Sequence, residues 1–142
     1  MGIALTPTAR LRIMARRRGE GTPMSTQGHY LAVFTSDKTG PRWREWYGLT
    51  EAEKTARQTA GLAAIAAWDE AHRDVIVWQG GPLGPTKRIT DAGKVADVVN
   101  LLTVYMVVRA ETHEAAVRLF DGHPHMSIFV CDGVEVMPVL GG

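Results

Sequence analysis

Leu101-Leu102-Thr103-Val104-Tyr105-Met106-Val107-Val108-Arg109 is the stretch on which the fold turns. Its β-branched and aromatic content favours a strand. Alternation puts Val104, Met106 and Val108 on one face and Thr103, Tyr105 and Val107 on the other. Downstream, Thr112 is placed to cap a helix, Glu114 suits its first turn, and Gly122 can end it in a left-handed conformation. Ala116, Leu119 and Phe120 form that helix's inner stripe. Beyond it, Ser127–Val130 and Val134–Val139 are rich in strand formers and flank Asp132-Gly133, which predicts one bent strand or a hairpin.

Upstream of the opening stretch the pattern repeats. Tyr30–Ser36 (YLAVFTS) reads as a buried strand, and Val75–Gln79 (VIVWQ) as another, stopped by Gly80-Gly81-Pro82. Between them, Pro41–Leu49 is an aromatic-rich loop or helical turn. Thr50-Glu51-Ala52-Glu53 fits a capping box, and the Ala-rich run to His72 is the longest helix. Leu62, Ile65, Ala66 and Asp69 fall at helical spacing there, next to Trp68. Thr86–Thr90 adds a short strand in a hairpin-like segment. The order β, α, β, hairpin, β, α, β predicts an α+β chain with a ferredoxin-like split βαβ, an antiparallel sheet and helices on one face. The uncovered face then needs a partner, most simply a second copy of the chain.

Composition agrees with one globular unit. The 142 residues are 45% hydrophobic and 22% charged. The single cysteine, Cys131, cannot form an internal disulfide and reads as a packing residue. No run of about 18 apolar residues suggests a membrane span, and no apolar run near the start suits a secretory signal; a cytoplasmic location is expected. The net charge of +1 is unevenly spread. Residues 1–28 hold five arginines against Glu20, and residues 29–142 hold eleven basic and fourteen acidic residues. The expectation is a disordered, dispensable basic arm over 1–28 and a mildly acidic domain over 29–142. Met24 offers a second start. With no matching basic face on the domain, nucleic-acid binding is not expected.

Two features carry candidate chemistry. His123 and His125 follow a helix end, and in an extended segment their side chains point the same way. They are candidate acid–base groups; the alternative is that Pro124 shapes a turn and a histidine bonds the backbone. A metal site would need a third ligand, and His29, His72, His113 and Asp91 lack diagnostic spacing. The second feature is Gly80–Arg88. Gly81, Pro82, Thr86 and Lys87 could contact a ligand, an anion above all, or could simply shape a connection. It lacks P-loop spacing. Trp43 and Trp46 could wall an aromatic ligand or pack the core. Asp69 and Glu70 read as solvated helix charges or as partners of a cleft histidine. No organic cofactor is expected.

The run Gly80-Gly81-Pro82-Leu83-Gly84-Pro85-Thr86-Lys87-Arg88 resembles the Gly-Pro…Thr-Lys turn of the YCII-related (DGPF-domain) family. Phe120-Asp121-Gly122-His123-Pro124-His125-Met126 through Val134-Glu135-Val136-Met137-Pro138-Val139 is similar to that family's closing helix, His-Pro turn and final strand. The resemblance covers residues 29–140. It implies a ferredoxin-like subunit that dimerises into an α+β barrel. Some members are implicated in small-molecule lyase or dehydrochlorinase chemistry through a His–Asp pair in the cleft. This chain departs from the pattern: the helix from Glu51 has no histidine before His72, and His123-Pro124 stands where some relatives have Asp-Pro. The pair therefore does not carry over. The functional expectation is a homodimer that binds a small anionic or aromatic molecule, as a cofactor-independent lyase or isomerase working through cleft histidines, or as a non-catalytic binding or dimerisation module.

Overall fold

The computed structural model describes residues 27–141. Apart from its last two residues, the basic arm lies outside the described residues. The elements are β1 (Gly28–Thr35), α1 (Pro41–Tyr47), α2 (Glu51–Ala71), β2 (Ile76–Pro82), β3 (Thr86–Ile89), β4 (Val95–Val98), β5 (Leu102–Ala110), α3 (His113–Arg118), α4 (Pro124–Ser127) and β6 (Gly133–Pro138). Four strands form one sheet in the order β2-β5-β1-β6, and β3 and β4 form a separate hairpin. Every pairing is antiparallel. The chain is thus α+β, as its element order predicts. β1 and β2 run parallel to each other with β5 inserted between them, and β5 and β6 likewise flank β1.

The register sets the core. Ala32 lies opposite Met106, and Tyr30 opposite Val108, so the even positions of β1 and β5 share a face. Phe34, Ala32, Met106 and Val108 on that face are buried together with Ala116 and Phe120. Each large side chain removed from water there stabilises the fold by about 1.5–3 kcal/mol. The opposite face carries Leu31, Val33, Tyr105 and Val107. On it Trp78 remains 61% exposed while donating its indole N–H to the Tyr105 hydroxyl at 2.9 Å.

Local chemistry explains the helices. In α2 the Thr50 hydroxyl accepts from the Glu53 amide at 3.1 Å, and the Glu53 carboxylate accepts from the Thr50 amide at 2.8 Å. That closes the capping box, whose loss costs about 1 kcal/mol. The inward stripe of α2 differs from the expected one. Leu62 is 65% exposed, whereas Gly61 is buried and Ile65, Trp68 and Asp69 are half-buried. A side chain at position 61 would strike the Phe129 ring, whose nearest atom lies 2.3 Å from the site of a Cβ. The helix therefore presents its only glycine, not its leucine, at the closest contact.

Two further expectations are corrected. Gly80-Gly81-Pro82 does not stop β2. Gly80, at φ +66°, makes a bulge, and pairing resumes with Gly81 opposite Tyr105 and Pro82 opposite Val104. Proline is tolerated there because β2 is an edge strand. Ser127–Val130 is not a strand either. Pro124, with φ fixed near the helical value, starts α4, and the segment after it lays Phe129 on Gly61.

Candidate functional site

The site is built around His123. Gly122, at φ +72°, turns the chain out of the α3 region, and the His123 amide donates to the Phe120 carbonyl at 3.0 Å. His123 then caps α4: its Nδ1 accepts from the His125 amide at 3.0 Å. The segment is a cap and a helical turn, not an extended strand, yet both rings reach Phe34, at 4.9 Å for His123 and 5.1 Å for His125. Trp68 closes on His123 from α2, with ring centroids 4.5 Å apart. The His123 side chain is buried, and burial first, then the neighbouring His125 and His72, push its pKa down to about 4. At neutral pH the ring is uncharged. Because Nδ1 is an acceptor, the single ring proton sits on Nε2.

That Nε2–H group is buried and has no hydrogen-bond partner among the described residues. Asp69 Oδ1 is in the same condition. Both residues line one cavity of about 110 Å³ between α2 and the sheet, walled by Phe34, Met106 and the β2 bulge at Gly80 and Gly81. A buried polar atom left unpaired costs about 1–3 kcal/mol. Two such atoms, one a donor and one an acceptor, belong to residues that line one small space, which makes it a place for a polar guest. The bulge matters because it brings bare backbone to the cavity wall. A Cβ at position 80 would sit 2.0 Å from the Tyr105 carbonyl oxygen.

A second cavity of about 340 Å³ adjoins the first, sharing Val104 and His125 with it. Trp43, Trp46 and Phe129 are among its walls. The Trp43 indole donates to the Ser36 hydroxyl, which anchors the ring. His125 stands at the junction, and burial lowers its pKa. A wider groove of about 470 Å³ lies on the far side of Phe129, between Arg42, Arg57 and Ser127. Its charge is partly matched within itself, since Arg57 pairs with Glu45 at 3.7 Å.

The residues singled out from the sequence separate into two groups. His123, His125 and Gly81 meet at the small cavity, and Trp43 and Trp46 at the adjoining one. Pro82, Thr86 and Lys87 line neither. Thr86 accepts from Asn100 at 2.9 Å, and Lys87 pairs with Asp97 at 2.6 Å on the β3–β4 hairpin with its side chain 71% exposed. Asp69 enters the site from α2, one turn beyond Ile65. Gln79, Phe34 and Phe129 also line these cavities without having stood out in the sequence. Cys131 is wholly buried, and its thiol is pushed up by burial, which makes it unreactive. Among the described residues no group of three or more His, Cys, Asp or Glu is placed to hold a metal ion, and no helix is long and apolar enough to cross a membrane.

Compared with protein-family models the chain matches none, and no curated protein matches it.

Proposed function

We propose that the chain binds a small carbonyl compound and moves a proton beside that carbonyl, as a cofactor-independent isomerase or lyase. The observation that carries this reading is the pair of unpartnered buried atoms, His123 Nε2 and Asp69 Oδ1, on two residues that line one cavity. A neutral imidazole whose other nitrogen is occupied is a hydrogen-bond donor, not a base. His123 therefore holds the carbonyl oxygen through Nε2–H. The Asp69 carboxylate takes a proton from the adjacent carbon. The C–H electron pair becomes a C=C bond, and the carbonyl pair moves onto the oxygen, where Nε2–H stabilises the developing charge. Returning the proton from Asp69 to a different carbon gives isomerisation. Expelling a leaving group from the next carbon, with its bonding pair, gives elimination. Of the two candidate histidines, His123 is thus the electrophile, and His125 shapes the neighbouring cavity.

The likeness to YCII-related proteins fits this reading in an exchanged form: the acid stands on the long helix and the histidine on the turn. The strand order β2-β5-β1-β6 supports a ferredoxin-like fold. The exposed Trp78 and Met137 on the sheet face away from the core support a homodimer closed into an α+β barrel over that face. Light scattering at micromolar concentration then gives twice the chain mass; a monomer overturns the dimer.

The chemistry is tested in D₂O with acetone, cyclohexanone, acetophenone and pyruvate, following loss of the α-proton signal by NMR. Protein-dependent deuteration of at least one ketone is expected. Asp69→Asn lowers it by at least about 100-fold and His123→Gln by about 100–1,000-fold. No protein-dependent exchange with any of the four overturns the reading.

A further inference from the structure

We infer that the ligand is a neutral molecule in two parts, a flat apolar ring in the Trp43–Trp46 cavity and an uncharged carbonyl head between His123 and Asp69. This rests on the site reading above and adds the chemical class of the occupant.

The two cavities differ in kind and meet at His125 and Val104. The smaller, at about 110 Å³, has about a third of the room of the larger and is assigned to the head. The larger, at about 340 Å³, is within the range of small-ligand pockets and is walled by indole and phenyl surfaces. Flat rings gain from such walls through offset or edge-on stacking. Its polar side chains are few: the Ser36 hydroxyl is already engaged by Trp43, the Thr103 hydroxyl by the Phe34 carbonyl at 3.0 Å, and the Gln58 amide and the His125 ring remain. A sugar or other polyhydroxylated body has more hydroxyls than these two side chains can answer.

Charge selects the head. Among the described residues no Lys or Arg lines either cavity. The acceptor in the head cavity belongs to Asp69, so a carboxylate or phosphate would meet a like charge in a poorly solvated space. Arg57 and Arg73 line outer grooves, the second of which Asp69 also lines, and pair with Glu45 and Glu70. A head that accepts once and offers hydrogen on the neighbouring atom satisfies both unpartnered atoms. The expectation of an anionic ligand held by Lys87 is replaced by that of a neutral aryl carbonyl compound.

Phenylacetamide is an unreactive probe of this geometry. Its carbonyl can accept from His123, and its N–H stands where the substrate's C–H would. Phenylacetate has the same ring and size with a charged head. Binding of both to the full chain is followed by NMR titration. Phenylacetamide is expected to bind at least about tenfold more tightly than phenylacetate, and Asp69→Asn removes most of that gap. Trp46→Ala weakens phenylacetamide but leaves acetamide unchanged. Equal or tighter binding of phenylacetate, a gap that survives in Asp69→Asn, or no saturation by either compound at millimolar concentration overturns the assignment. If these fail while ketone deuteration still depends on Asp69, the ligand class is wrong and the site stands. If deuteration fails, the site itself is wrong.

Discussion

The turn at His123 and the hairpin at Lys87 offer similar chemistry on paper, and the fold treats them in opposite ways. His123 is folded under Trp68 and against Phe34 beside a cavity, with its donor buried and lacking a partner among the described residues. Lys87 stands in solvent on a two-stranded hairpin and is already paired with Asp97. A polar group acquires specific chemistry when water is taken from it and only a guest can answer it. An exposed ion pair is screened and contributes about 0–1 kcal/mol. The difference between the regions is therefore desolvation, not residue type.

The comparison can be broken at several points. The largest effect is expected from Gly80→Ala, which combines a left-handed backbone with a Cβ 2.0 Å from the Tyr105 carbonyl oxygen. Urea unfolding should show a loss of about 3 kcal/mol or more, with the cavity wall displaced. Next comes pH. His123 has a folded pKa near 4 against an unfolded value near 6.5, so the unfolded state takes up a proton that the folded state refuses. Stability from this residue is complete above about pH 6.5 and falls between there and pH 4, by up to roughly 3 kcal/mol. In His123→Gln that part of the pH dependence should vanish. Gly61→Ala follows, at about 1–3 kcal/mol, because Phe129 must move from its place beside Gly61; aromatic probe binding should fall with it. Lys87→Ala is the smallest. It should cost less than about 0.5 kcal/mol and leave phenylacetamide binding unchanged. A large effect there would erase the contrast between the two regions.

Much of this was legible in the chain. The capping box at Thr50, the Thr112 cap and the alternation in β5 are local patterns, and each formed as read. What misled was non-local. Gly80-Gly81-Pro82 looks like a stop, but pairing with β5 carries β2 through a bulge at Gly80. Ser127–Val130 has strand composition, but Phe129 is drawn onto Gly61 in α2. Leu62 scores as core by hydrophobicity, while the close approach at Gly61 rotates it outward. The signal for Asp69 was present, since it follows Ile65 by four residues on one helical stripe. It could be weighted only once Gly61 was known to pack on Phe129. His123 was found by composition, but its role as a donor depends on the amide of His125, which only the α4 cap reveals.

The central claim is that His123 is a neutral donor at the protonation state and tautomer set by this fold. Long-range ¹H–¹⁵N correlation NMR of the histidine rings across a pH titration measures both directly. The account predicts that His123 carries its proton on Nε2 at pH 7 and titrates near pH 4. A proton on Nδ1, or titration near the ordinary histidine value of about 6.5, would contradict it.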